Sequence, residues 1–421
     1  MTGSPTDSLA LNGGVPVRTT PFVTVYEPAG RTLGAEELRL VTEALASGVL
    51  SSTFGAHSKA LEATFSTRYG VEHTVACSSG TAALHLAVAA LDPEPGDEII
   101  TSPISDFGSV IPILLQNAVP VFADVDAVTG QLDPESVEKA ISDRTRAILA
   151  VHLLGAPAPV EQLADIAARH GLVLIEDCAQ AFLTETEAGS LAGTVGDIGC
   201  FSLQQSKHIT AGDGGLAITS DAGLARRMRL FSDKGWPRDT GERTYLFLGA
   251  NYRMSELQAA VARAQLAKLN GIVARRRSLA GRLTSSIEHL DGLTTCPVGS
   301  CSSYWQFPIV LDRPDTATLL DWAAALGAEG IPVIAPYIPQ PLYLTPVLRE
   351  GRTYGQSRFP LCAPPARQDW IFEPGLCPVA ERLLFERLIV IPWNENYTDE
   401  DVDDIAKAVR KVHTALIPPV S

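Results

Sequence analysis

Two hydrophobic periods alternate along the first half of the chain. Residues 36–46, 58–69, 80–91, 110–115, 135–141 and 160–170 carry apolar side chains at helical spacing, which predicts helices with a buried face. Between them lie short unbroken apolar runs at 74–77, 98–101, 119–125, 147–153 and 172–175, which predict strands. Gly48 and Gly70 stop the first two helices, and Asp133-Pro134 opens a later one as a cap with proline at the first helical position. The strand runs are continuous in Val, Ile and Leu, without polar alternation. That pattern predicts a mostly parallel sheet covered on both faces.

Past residue 250 the pattern changes. Residues 255–290 read as a long helix broken near Gly271. Strands are predicted at 303–311 and 332–335 and helices at 316–326 and 399–416, while 339–378, rich in Pro, Gly and aromatics, reads as irregular. The expected fold is therefore α/β, with an N-terminal arm (1–34) and a large domain (35–270) whose mostly parallel sheet is sandwiched by helices. A linking helix and a smaller C-terminal α+β domain (271–421) follow.

At 421 residues the chain can bury the cores of two such domains. A formal net charge of −15 gives the long-range field the wrong sign for nonspecific binding to nucleic acid or anionic membrane, while leaving room for a local anion site. The first residues lack the basic and apolar regions of a signal peptide, and no apolar run reaches the roughly 20 residues needed to span a bilayer, so a cytoplasmic protein is expected. Seven cysteines without a Cys-x-x-Cys pair, three of them (Cys77, Cys178 and Cys200) in or beside apolar strands, read as buried thiols and not as a metal site.

Candidate chemistry concentrates in one region. Of seven lysines, five (59, 139, 268, 407 and 411) fall on polar helix faces and Lys234 sits in a turn; only Lys207 follows a strand and precedes a glycine cluster, Gly212 to Gly215. Thirty positions upstream the apolar run ends in Glu176-Asp177-Cys-Ala-Gln180. A carboxylate at the end of a buried strand and a lysine in a Ser/Gly-rich turn are what pyridoxal phosphate requires. The amine forms a Schiff base, and the acid pairs with the pyridinium nitrogen, making the ring an electron sink. Ser78-Ser79-Gly80-Thr81 runs into a predicted helix whose N-terminal amides could bind the phosphate, and Ser202 could add a hydroxyl. Each residue also has a structural reading: a turn cap for Asp177, a plain helix cap for Ser79, a structural amide for Gln180.

Jointly, Glu176-Asp-Cys-Ala-Gln180, Cys200-Phe-Ser-Leu-Gln-Gln-Ser-Lys207, Ala211-Gly-Asp-Gly-Gly215 and Gly249-Ala-Asn-Tyr-Arg-Met-Ser-Glu-Leu-Gln258 resemble the sugar and cyclitol aminotransferases, the DegT–StrS group of fold-type-I pyridoxal phosphate enzymes. The resemblance runs from Leu11-Asn-Gly-Gly14 to Trp393-Asn-Glu-Asn-Tyr-Thr398. It implies Lys207 as Schiff-base lysine and proton shuttle, and Asp177 on the pyridine nitrogen. It further implies Gln180 near the phenolic oxygen and Ser79, Gly80, Thr81 and Ser202 around the phosphate. Asn251 would reach the neighbouring subunit's cofactor, making a homodimer the minimal active unit. Many members carry an aromatic residue stacked on the ring in a segment resembling 103–107; by that alignment Asp106 takes the position and Phe107 lies one place later. Either Phe107 shifts into place or another group covers the ring.

The reaction so implied moves an amino group from L-glutamine or L-glutamate to a ketone of a cyclitol or keto-sugar, as in aminoglycoside-type biosynthesis. Gln204-Gln205-Ser206-Lys207 and the Leu-Asn-Gly-Gly start look closer to the cyclitol enzymes than to those acting on nucleotide-linked sugars. Lys234, Trp236, Arg238 and Tyr337 are candidate substrate contacts; Lys234, Arg238 and Arg243 could instead hold a nucleotide diphosphate, or form a solvated loop. The competing readings are a pyridoxal phosphate dehydratase or oxidase-like enzyme, motivated by Asp106, and a non-catalytic regulatory protein that keeps the fold.

Overall fold

A computed structural model describes residues 8–295, 301–312, 314, 317–362, 364–367 and 369–417. Cys296 and the expected helix start at Thr316 lie outside them. Helices α1 (Ala35–Ser47) and α2 (His57–Tyr69) end on Gly48 and Gly70 in the left-handed conformation, as their sequence position anticipates. There follow β1 (His73–Cys77), α3 (Gly80–Ala90), β2 (Glu98–Thr101), α4 (Ile111–Leu115), β3 (Val119–Phe122) and α5 (Pro134–Ala140). Next come β4 (Thr145–Val151), α6 (Val160–His170), β5 (Val173–Asp177), β6 (Ile198–Ser202), β7 (Gly215–Thr219) and α7 (Ala222–Phe231).

The seven strands form one sheet in the order β1-β7-β6-β5-β4-β2-β3. Neighbours from β6 to β3 are parallel, and β7 alone runs antiparallel to both its neighbours. The carboxyl ends of β1, β5 and β6 therefore share one edge, where ligands bind in open α/β sheets. Helix α3 packs one face of this sheet in a core with Ile175, Cys200 and Ala217. Phe65 and Phe182 fill the other face against Phe201. Close approach matters at the edge itself. A Cβ on Gly80 would meet the Cβ of Ser202 at 2.6 Å, and one on Gly215 would meet the Ser79 carbonyl oxygen at 2.1 Å.

The second half contains α8 (Glu256–Ile287), β8 (Leu293–Thr295), β9 (Gln306–Leu311), α9 (Leu319–Ala328), α10 (Pro346–Arg349), α11 (Pro378–Arg382), β10 (Leu388–Pro392) and α12 (Asp399–Leu416). Strands β10-β9-β8 make a small antiparallel sheet. Its core gathers Phe307, Trp322, Trp393 and the apolar face of α12. Arg276 of α8 is wholly buried at the seam: its Nε donates to Glu395 at 2.9 Å and its Nη1 to the carbonyls of Tyr304, Trp305 and Trp393 at 3.0, 3.1 and 2.9 Å.

Several expectations change. Helix α8 passes through Gly271 unbroken, because Leu269, Ile272 and Val273 on either side are buried and outweigh a glycine penalty of about 1 kcal/mol. The strand expected at 332–335 is a single bridge, Ile334 to Val390, and β10 is the strand that forms there. Strand β3 stops at Phe122, short of the expected 125. No helix among the described residues is long and apolar enough to cross a membrane.

Candidate active site

At the carboxyl edge of the large sheet lies a cavity of about 460 Å³. One end is the start of α3. The Ser79 hydroxyl accepts the Ala82 amide at 3.0 Å, while Gly80 and Thr81, whose amides have no partner inside the helix, line the cavity. Ser202, at the end of β6, stands beside Gly80 because glycine there leaves no side chain between them. The opposite end holds Asp177, the last residue of β5. Its Oδ2 accepts from the Ser109 hydroxyl at 2.7 Å and its Oδ1 from the Ala179 amide at 3.0 Å. Ser105 reaches Ser109 at 2.7 Å, so with Ser109 donating to Asp177 the three form a directed chain. Burial holds the Asp177 carboxyl above the usual range, against the pull of Ser109, the Ala179 amide and Lys207.

Lys207 enters between these ends. Burial lowers its amine to about 8, with Asp177 and Asp106 working in the other direction. Its Nζ lies 4.1 Å from the centroid of the Trp305 ring. Gln180 is fixed by its carbonyl, which accepts the Leu154 amide at 2.7 Å, and its amide nitrogen lies 3.3 Å from the Tyr337 hydroxyl across the cavity. Asp106 lines the mouth; its Oδ1 accepts the Gly108 amide at 2.8 Å. Phe107 is half-buried against the cluster containing Ile104 and Val110 and is not part of the cavity lining.

The fit to pyridoxal phosphate can be tested on this donor set. Free helix amides and hydroxyls at one end suit a phosphate, a buried carboxylate at the other suits a pyridinium, and a depressed amine lies between. The residues fit. Other expected contacts are not brought here by the same chain. Asp233 accepts from Lys234 at 2.9 Å and pairs with Arg238 and Arg253, and the Arg238 guanidinium lies 3.7 Å above Trp236. Asp233, Trp236, Arg238 and Arg253 border a separate cavity of about 270 Å³. Asn251 bridges Asp233 and is exposed. Glu176, next to Asp177, faces away. It accepts the amides of Gly193, Val195 and Gly196 and pairs with His152 at 2.9 Å, which holds its carboxyl below the usual range despite burial. His152 Nδ1 accepts from Ala158, so the imidazole is a structural link and not a free metal ligand.

Ser109 and Trp305 escape the sequence reading. Ser109 precedes an apolar stretch without any motif of its own, and Trp305 falls inside an expected strand where an aromatic reads as core. Only the tertiary fold brings them to Asp177 and Lys207.

A family model described as "DegT/DnrJ/EryC1/StrS aminotransferase family" matches residues 31–369. An L-glutamine:2-deoxy-scyllo-inosose aminotransferase of Streptomyces kanamyceticus is 37% identical, over 97% of this chain and 98% of its own. A UDP-N-acetyl-3-dehydro-alpha-D-glucosamine 3-aminotransferase of Acidithiobacillus ferrooxidans is 36% identical, over 86% and 90%. Among solved structures, DesV of S. venezuelae, crystallised with a ketimine intermediate, superposes with a TM-score of 0.80 at 29% identity, covering 94% of this chain and 98% of that one. The chain belongs to the DegT/DnrJ/EryC1/StrS aminotransferases, and pyridoxal phosphate is its cofactor.

Proposed function

We propose that this enzyme transfers an amino group from L-glutamine or L-glutamate to a ketone of a cyclitol or keto-sugar, in the cytoplasm and as a homodimer. The single observation that carries the reading is the convergence of Lys207, Asp177 and the α3 N-terminus on one cavity. Bound pyridoxal phosphate supplies an electron sink and a carbonyl carbon that carries the amino group between donor and acceptor. Lys207 would hold the cofactor through that carbon, and its amine, lowered by burial and freed once the donor's amine takes its place, would carry the proton to and from the donor's α-carbon. Asp177 would keep the ring nitrogen protonated, while the Gln180 amide, which gives one N–H to the Tyr337 hydroxyl at 3.3 Å, would orient the phenolic oxygen through the other. Ser79, Gly80, Thr81 and Ser202 hold the phosphate, and Tyr337 contacts the substrate.

The acceptor class follows from charge. Among the described residues lining the cavity Lys207 is the one cation, beside the carboxylates Asp106, Asp177 and Asp213. That lining suits a neutral polyol ketone better than a nucleotide diphosphate, in line with the named substrate of the 2-deoxy-scyllo-inosose relatives. The donor's α-carboxylate then needs a cation from a second copy, and the exposed Asn251 loop, with Arg253, Lys234, Trp236 and Arg238 nearby, is the segment we assign to the neighbouring site.

The test is the visible spectrum of the holoenzyme with L-glutamine or L-glutamate. Loss of the long-wavelength band with release of the 2-oxo acid, abolished in Lys207→Ala, is the expected result. A bound chromophore indifferent to both donors would refute the transaminase reading in favour of a dehydratase or a regulatory protein.

A further inference from the structure

Trp305 lies outside the sequence motifs of the site, yet it makes two separate contacts with the turn that carries Lys207. Its indole N–H donates to the Ser206 carbonyl at 2.9 Å, one residue before the lysine. Its ring face lies 4.1 Å from the lysine Nζ. On the far side of the lysine, Arg31 Nη1 donates to the Lys207 carbonyl at 3.0 Å. With the carbonyls on both sides of Lys207 fixed, the direction in which its side chain leaves the backbone is set.

We propose that Trp305 is a positioning residue for Lys207, fixing the turn through its N–H and holding the free amine within the cavity on its ring face. This rests on the assignment of Lys207 as the cofactor-bonding amine. A lysine stem has four rotatable carbons, and the carboxylates of Asp177 and Asp106 both attract its ammonium. Among the described residues Lys207 nevertheless forms no ion pair, and its amine rests over the indole. The aromatic face gives the amine a place to wait that leaves Asp177 free for the ring nitrogen. The indole is a wall and not a core side chain: it is half-buried, lining both the reaction cavity and a second cavity of about 930 Å³ beyond it. The Trp305 carbonyl is held in turn by Arg276, so the wall is anchored from α8.

The experiment uses Trp305→Leu and Trp305→Phe. In cofactor-free protein, the titration of Lys207 is read from the pH dependence of its reductive methylation, with the Lys207 peptide quantified by mass spectrometry. Leucine keeps the site apolar but removes the ring, so the midpoint should fall from about 8 to about 7, with phenylalanine restoring it. In the holoenzyme, the L-glutamine half-reaction of W305L should slow about tenfold at unchanged KM, as expected when the base is misplaced and binding is intact. W305F, which lacks the N–H, should stay several-fold slow despite its restored titration. Wild-type titration of Lys207 in W305L, or wild-type rate in both variants, would overturn the proposal. If W305L does not fold, the rate of W305F decides the N–H contact. Borohydride reduction and peptide mapping of the wild-type holoenzyme separates the two levels: cofactor found on another lysine overturns the assignment of Lys207 itself.

Discussion

Removing the hydroxyl of Ser109 probes the acid end of the site without touching a charged group. Ser109 is 1% exposed and donates to Asp177 at 2.7 Å, and its own oxygen takes the Ser105 hydroxyl at the same distance. A buried hydrogen bond to an ionised group contributes about 1.5–3 kcal/mol, and Ser109→Ala also strands the Ser105 donor. Since Asp177 is 4% exposed, solvent screening takes little from that figure. The bond favours the carboxylate, so its loss pushes the Asp177 carboxyl further up and weakens the pairing with the ring nitrogen. At about 1.4 kcal/mol per factor of ten, the variant should bind pyridoxal phosphate about 10- to 100-fold more weakly. The acid limb of its half-reaction should move to higher pH. Cofactor titration and stopped-flow absorbance with L-glutamine measure both, and Ser105→Ala should show the same trend more weakly. Binding and half-reaction within twofold of wild type would refute the chain from Ser105 through Ser109 to Asp177.

Other expectations concern charge, stability and assembly. Lys207 is held below its unfolded value, so cofactor-free protein carries a penalty that is full below about 8 and fades as pH rises to the ordinary lysine range. Lys207→Met should therefore raise the Tm of cofactor-free protein at pH near 7 and lose that advantage by pH about 10.5, as scanning calorimetry at the two pH values will show. Glu176→Gln replaces one acceptor oxygen with a donor that faces either the Gly193 amide or those of Val195 and Gly196; urea unfolding should show a loss of about 2–4 kcal/mol. The Glu176 carboxyl is held down, so its wild-type contribution is present above the usual carboxylate range and lost as pH falls through the folded value. Mixed after co-refolding, inactive Lys207→Ala and Asn251→Ala subunits should regain about a quarter of the wild-type sites, because half the dimers are hybrid with one intact site each. No recovery of activity would count against a site shared between subunits.

The alternation of periods up to residue 175 was enough to place α1, α2, α3, α6, β1, β2, β4 and β5 within a residue or two, because each buries a face that the spacing advertises. Strand β7 was not legible: Gly215-Leu-Ala-Ile-Thr219 follows a glycine cluster, and nothing local says that it runs against its neighbours. Gly271 misled for the complementary reason, since its propensity is local and the packing that overrides it is not. Within the site, Lys207, Asp177, Gln180 and Ser79 to Thr81 sit in contiguous motifs at strand ends and a helix start, and all reach the same cavity. Trp305 arrives from the position just before β9, nearly a hundred residues beyond Lys207, as the fold and not the spacing dictates. Phe107 shows the limit of neighbourhood arguments, because one position separates it from the cavity-lining Asp106 and places it in a different cluster.

Arg276 carries a consequence for anyone wishing to broaden the acceptor range. This one guanidinium on α8 holds the carbonyls of Tyr304 and Trp305 before β9 and that of Trp393 after β10. The wall of the reaction cavity is thus registered to a helix whose other turns pack against α1, α2 and α12. Segments spanning 301–307 cannot be exchanged between relatives as independent cassettes; the donor of the graft must bring a helix with an arginine at the same turn. Libraries that diversify the loop alone will return misfolded wall geometries and be misread as evidence that the site tolerates no new substrate.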